Sequence, residues 1–588
     1  MGAAVTAVQA PAAQSVARPV TGRRAVTLAA VYYLLAALAV TLWLWRDPAS
    51  RTVAGNPNDA DQYTWFFRYD ATAIAHGHLP ALVTTAMNAP QGVNAMWNTF
   101  MLLPGILLAP VTLLFGPQSA LTLFMTAGFA GSATAMFAVL RRWQVSVGSA
   151  ALAGAVYAFS PALLHSAIGH YDLQFAVFPP LIIDAGLALA TGRASAVRGG
   201  IWLGLLVTAQ LFITEEMLFF TAVAGVILVV VLAASRPRAV SGQVRTVAGG
   251  LGVAGCVTAV IAGYPLWVQF FGPLYQHGSP FTLSYFETDL RGFYVPSHLL
   301  WLTSKGSSAF AASYVPGAPE YLAYLGIPLL VIAPLAGIAR ISDPRARLLL
   351  GTGAIFALFS LGGTLLDNGH QTAVRLPWGL VENWPVFGAA LPDRFAIVVA
   401  LAAAGLLAMG VGWLLDTGRA RGRILAALLA AACVAPLLPR PYPVTTAAQA
   451  PPFFAAAGRW LSPGSTVLVL PYPTASQTQP LVWQAAAQMA FRMPGGYFIG
   501  PASGGEAYVG GPGPTAVAAT LIEIQLGVPA PPVTPSLRAS FWQDMSYWGA
   551  HAIVAGPGAR AALTGFIQGL VRRPPLRTGG VLLWRHLP

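Results

Sequence analysis

The sequence predicts an α-helical polytopic membrane protein with about eleven transmembrane helices and a small α/β unit at its C-terminal end. Three observations predict it. Hydrophobic residues make up 56% of the 588 and charged residues only 9%, too few to cover a soluble chain of this length. Apolar runs of about 17–23 residues, the length of a bilayer-spanning helix, recur from Val26 to Leu438. Beyond Arg440-Pro-Tyr-Pro443 these runs stop and short strand-like segments take over.

Residues 1–22 are small, polar and proline-containing, the composition of a disordered tail. Arg23-Arg24 precede the first apolar run, Val26–Trp45. That run is longer than a signal-peptide core and lacks a small-x-small cleavage site, so it reads as a retained helix. Basic residues favour the cytoplasmic side. The N-terminus is therefore expected in the cytoplasm, and residues 46–118 in a first outer loop. The stretch Phe100–Phe115 decides the remaining topology. It is short and carries Pro104 and Pro110. Were it to cross, Arg141-Arg142 would fall outside and every later loop would invert. Laid on the outer membrane surface, it leaves the arginine-bearing loops inside. The spans are then Val26–Trp45, Ser119–Leu140, Ser149–His165, Leu173–Ala190, Gly199–Ile213, Met217–Ser235, Thr246–Val268, Tyr321–Ala339, Leu348–Leu366, Phe395–Leu415 and Ile424–Leu438. The inside loops carry Arg193 and Arg198; Arg236, Arg238 and Arg245; Arg340, Arg345 and Arg347; Arg419, Arg421 and Arg423. Thr214-Glu215-Glu216 has to form a very tight outer turn.

Three long segments then face outward: 46–118, 269–320 and 367–394. Residues 23–440 form the membrane domain and 441–588 a small extracytoplasmic domain. In the latter, Thr466–Leu470 and Ala552–Ala555 read as buried strands, and Ala455–Leu461 and Ala516–Leu526 as helices. Gly495–Gly513 reads as loop without a phosphate-loop context.

The net charge of +13 comes largely from arginines in short loops, which the inside bias explains better than nucleic-acid binding. Cys256 and Cys433 lie in apolar runs, with no CxxC or Cys/His zinc spacing. No GxSxG, HExxH, Walker or dinucleotide motif stands in a fitting context. No inverted-repeat halves mark a transporter of that type.

The scarce acidic residues gather with histidines and arginines on the outer side. Asn56–Trp65 holds Asp59 and Asp61 and reads as an active-site loop. Glu215 and Glu216 sit at a helix end too tight to leave two carboxylates much water, which points to a polar cavity. His165, His170 and Asp172 bracket another outer turn. Arg291, Arg375 and Arg394 lie in the second and third outer segments. Plainer roles stand beside these. Asp59 or Asp61 could cap a helix. The two histidines are five apart, not the i, i+4 pair of a helical zinc site. Arg394 serves equally as an interfacial anchor or a phosphate partner.

Taken together, the chain resembles the polytopic C-type (GT-C) glycosyltransferases that use polyprenyl-phosphate-linked sugars, most closely the actinobacterial-type membrane enzymes. The resemblance covers roughly residues 24–440. It rests on the first outer loop with an acidic motif near its start, the Arg141-Arg142 end of the second span, and Ala158-Phe-Ser-Pro161. It rests also on Asn58-Asp59, His76-Gly77, Gly92-Val-Asn94, Trp97-Asn98, Gly169-His170, Gln210 and Glu215-Glu216. It implies a plasma-membrane enzyme that moves a sugar from a polyprenyl-phosphate donor to a cell-envelope glycan or glycolipid acceptor. The family's general base falls on Asp59, with Asp61 the second candidate. Some members use a divalent cation (Mg²⁺ or Mn²⁺) and others none, so the metal stays open. A lipid-phosphate leaving group needs cations, which Arg394, Arg375, Arg291 or Lys305 could supply. Substrate contacts are expected from Glu215, Glu216, His165, His170 and Asp172. Attack opposite the leaving group would invert the anomeric centre. The alternatives are a non-catalytic envelope scaffold acting through 441–588 and a lipid or glycan transporter.

Overall fold

A computed structural model describes residues 22–235, 237–384, 386–511 and 513–587. The expected tail lies outside the described residues except for Gly22, as do Arg236 and the side chain of Arg238.

The apolar runs fold as helices close to where hydropathy puts them. Among the described residues seven helices are long and apolar enough to cross a bilayer, among them Arg23–Val40, Pro117–Arg142, Glu215–Ser235 and Pro392–Asp416. Four further expected spans fall on helices of 13 to 17 residues: Phe178–Ala190, Ala196–Leu211, Gly326–Ala339 and Pro344–Ser360. The chain is a multi-pass membrane protein. Phe100–Phe115 divides into Leu102–Leu107 and Ala109–Phe115, of six and seven residues, far short of the roughly 20 needed to span.

Two spans are broken where proline removes a backbone donor. Val147–Ala158 stops before Ser160-Pro161, and Ser160 caps a short second helix, Pro161–Ser166. A single turn, Tyr171–Gln174, is followed by a restart at Phe178 with Pro179 in the first turn. His170 and Asp172 sit in that interruption.

Four expectations are corrected. Asn56–Trp65 is not a loop: Pro57–Ala75 is a 19-residue helix. Leu348–Leu366 stops being helical at Ser360, and Thr364–Asp367 pairs with His370–Arg375 as a hairpin. Gly495–Gly513 contains a second hairpin, Ile499–Pro501 with Ala507–Val509. Ala455–Leu461 is reduced to the single turn Pro452–Ala455 and the 3₁₀ turn Ala457–Arg459. The expected turn at Glu215 is as tight as required, with three residues between Leu211 and Glu215.

The most enclosed span is Pro392–Asp416, buried over 94% of its apolar window. Its run Ala-Leu-Ala-Ala-Ala-Gly is small enough for neighbouring helices to approach closely. Arg394 sits at its first turn, so the central helix carries that guanidinium into the interior. The Pro57–Ala75 helix packs on both sides. Tyr63 and Phe67 join the core of the membrane helices, whereas Trp65 and Phe66 join a second core with Val467, Val469 and Trp483.

That second core leans on a four-stranded sheet ordered Leu576–Thr578, Val581–Trp584, Ala550–Ala555, Thr466–Leu470. The last pair is parallel and the others antiparallel. Thr466–Leu470 is buried at every residue, and β-branched and leucine side chains suit a strand covered on both faces. Val444–Thr446 pairs antiparallel with Arg51–Val53, tying this region to the segment after the first helix.

Candidate active site

The site is built outward from the start of the Pro57–Ala75 helix. Asn56 is the N-cap: its side chain accepts from the Asp59 amide, and Pro57 opens the helix. The capping role weighed for Asp59 is therefore taken by Asn56. Asp59 lies in the first turn, where the helix dipole favours a negative charge. One carboxylate oxygen accepts from Asn56 Nδ2 at 2.6 Å and the other from Tyr497 Oη at 2.7 Å. Burial raises the Asp59 pKa; the charge of His170 and the two hydrogen bonds offset only part of that.

Asp61 is two residues on, and on a helix such neighbours diverge by about 200°. Asp59 faces a cavity of about 470 Å³, whereas Asp61 lines a separate cavity of about 290 Å³. Asp61 accepts from Thr478 Oγ1 at 2.7 Å. Burial pushes its pKa up to about 6, the Thr478 bond opposing. Asp59 and Asp61 thus cannot hold one cation between them. Among the described residues no three His, Cys, Asp or Glu side chains are placed to hold a metal.

The larger cavity gathers residues from distant parts of the chain. His170, Asp172, Glu215, Glu216 and Arg394 line it with Asp59. Arg394 donates from Nη1 to Glu216 at 2.6 Å and from Nε to Glu320 at 3.1 Å. Glu320 Oε1 also pairs with His170 Nε2 at 2.9 Å. With His170 protonated, this array of two carboxylates and two cations is neutral. Burial and the Arg394 charge lower the His170 pKa, but the Glu320 carboxylate together with Asp59 outweighs them and the net shift is upward. Burial likewise opposes ionisation of Glu320, and Arg394 with His170 overcomes it, so its pKa falls. Tyr63 donates to Asp172 at 2.5 Å, and Gln269 donates to Glu215 at 2.9 Å. Asn98 pairs with both backbone groups of Ile499, fixing the strand Ile499–Pro501 that follows Tyr497.

The remaining predicted residues lie elsewhere. His165 is held between the Ala318 carbonyl and Ser297. Arg291 pairs with Asp367 at 3.0 Å, both partly exposed. Arg375 is exposed on the hairpin. None of the three lines the cavity with Asp59. Sequence reading missed Glu320, Tyr497 and Thr478. Glu320 was detectable as one of few carboxylates in an outward segment; the other two come from a region with no motif.

Compared by sequence, the chain matches no family profile and no curated protein. By structure it is similar to the arabinofuranosyltransferase AftD from Mycobacteria, with a TM-score of 0.57 at 15% identity over 96% of this chain. A mutant of that enzyme gives a TM-score of 0.56 at 14% identity, also over 96%. The chain spans about 40% of the length of AftD. The match covers nearly the whole chain, which has the fold of the polytopic C-type (GT-C) glycosyltransferases.

Proposed function

We propose that this protein is an inverting membrane glycosyltransferase. It takes a sugar from a polyprenyl-phosphate donor and passes it to a cell-envelope glycan or lipid-linked acceptor. The cavity faces outward, the N-terminus is cytoplasmic, and residues 441–588 form an extracytoplasmic domain that covers the cavity.

One observation carries the reading: Asp59, buried and held at both oxygens, faces a cavity large enough for a sugar. Burial makes it a stronger base than a solvated carboxylate, while Tyr497 and Asn56 aim it. Asp59 accepts the proton of the acceptor hydroxyl, and that oxygen attacks the anomeric carbon. The bond to the phosphate oxygen breaks and the lipid phosphate leaves with the electron pair. His170 and Arg394 put N–H donors on the same cavity wall, where negative charge develops on the leaving group. Glu216 and Glu320 hold that guanidinium in place. Arg375 and Arg291 have no part in this scheme.

Purified protein in nanodiscs, given polyprenyl-phosphate sugars, tests it. Asp59→Asn should lose about 10²-fold or more in rate, the usual range for a general base. Asp61→Asn should keep transfer within a few-fold of wild type. Unchanged transfer by Asp59→Asn removes the base assignment. No transfer by wild type with any donor would favour the scaffold reading.

A further inference from the structure

The smaller cavity lies on the opposite side of the same helix. Asp61 and Arg68 both line it. Seven residues apart, they share a helix face about 10 Å apart along the axis. Arg68 differs from the five arginines that form ion pairs among the described residues. Arg142, Arg193, Arg291, Arg345 and Arg394 each pair with a carboxylate. The Arg68 guanidinium makes no ion pair or hydrogen bond among the described residues, and its Nε is buried without a partner. A half-buried cation without a counter-ion is costly, and an anionic ligand would relieve that cost.

The surroundings narrow the ligand. The cavity floor is Phe115 to Gln118, where the Pro117–Arg142 membrane helix begins. Leu114 and Phe115 beside it are 75% and 65% exposed, as suits side chains dipping into lipid. Gln118 and Gln449 spend their amide nitrogens on the Arg51 and Ala447 carbonyls, leaving acceptor oxygens. Ala448, Ala485 and Ala486 leave room on the other wall.

We infer that this cavity is a second ligand site, separate from the Asp59 cavity. It takes a phosphate-bearing head group with free hydroxyls, the phosphate on Arg68 and the hydroxyls toward Asp61 and Gln118. A guanidinium fits phosphate in a bidentate fork, and carboxylate and amide oxygens accept from hydroxyls. The inference does not depend on the transfer reaction, because binding alone defines it.

The test is native mass spectrometry of the full chain with phosphatidylglycerol, with diacylglycerol and with soluble glycerol phosphate. Wild type should bind phosphatidylglycerol, and Arg68→Gln should bind it about tenfold or more weakly, the loss of a charge-assisted contact. Arg68→Lys should recover part of the affinity. Ala486→Trp should block the site while leaving Arg68 in place, which covers the case where Arg68→Gln fails to fold. Competition by glycerol phosphate alone would support the site with a soluble source of the anion. Equal binding by wild type, Arg68→Gln and Ala486→Trp overturns the inference, as does equal retention of diacylglycerol.

Discussion

Tyr497→Phe isolates the bond that joins the C-terminal region to the proposed base. The hydroxyl donates to Asp59 Oδ1 at 2.7 Å, and phenylalanine keeps the ring while removing that donor. A hydrogen bond to a charged group contributes about 1.5–3 kcal/mol. It favours the ionised carboxylate, so its loss raises the Asp59 pKa further. At about 1.36 kcal/mol per pKa unit, the shift is roughly 1–2 pH units upward. The assay is single-turnover transfer across pH. A base must be ionised to act, so the acid limb of the profile should move up by that amount. The rate well above the new pKa should return close to that of wild type. A uniform fall in rate with the acid limb unmoved would refute the reasoning. Tyr497 would then touch the substrate or shape the cavity, and its bond to Asp59 would not set the base.

Asp61→Asn should stabilise the protein at neutral pH. The folded Asp61 pKa of about 6 lies above its unfolded value, so ionisation at high pH costs folded stability. The gain is at most about 3 kcal/mol above pH 6, vanishes below about pH 4, and is read as the pH dependence of Tm. Glu320→Gln should lower Tm sharply, because breaking a buried ion pair costs about 3–5 kcal/mol. Adding Arg394→Gln should recover part of that loss in a double-variant cycle. Gly169→Ala should slow transfer by about tenfold or more with little change in Tm, since a 1 Å misplacement of reacting groups is enough. Its Cβ would lie 2.7 Å from Asn56 Nδ2 and 2.9 Å from Asp59 Oδ2.

The membrane fold was legible because its physics is local. Each span needs its own apolar length. The short helices within Phe100–Phe115, the turn before Glu215 and the strand Thr466–Leu470 all followed from nearby residues. The array around Arg394 was partly legible. Glu216, His170 and Arg394 stood out as ionisable groups at helix ends, but Glu320 joined His170 and Arg394 only through packing across 74 to 150 residues of sequence. Tyr497 is 438 residues from Asp59 and lies in a glycine-rich run that local rules read as featureless. Nothing in one sequence reports a contact of that span.

The division between Asp59 and Asp61 is a different case, because the needed information was local and was misread. Asn56-Pro57 with Asp59 in the first turn is a helix start: a capping side chain, a proline whose missing N–H costs nothing there, and a carboxylate at the positive end. Once residues 57–75 are helical, the i, i+2 spacing sends the two carboxylates to opposite sides, and no loop freedom remains to bring them together. Two acidic residues that look like one motif in the sequence therefore serve two cavities, of about 470 and 290 Å³. The consequence is directional. A substitution at Asp59 should act on transfer, and one at Asp61 on stability and on ligands of the smaller cavity. A matched loss of transfer in both variants would mean that the helix start rearranges when substrate binds.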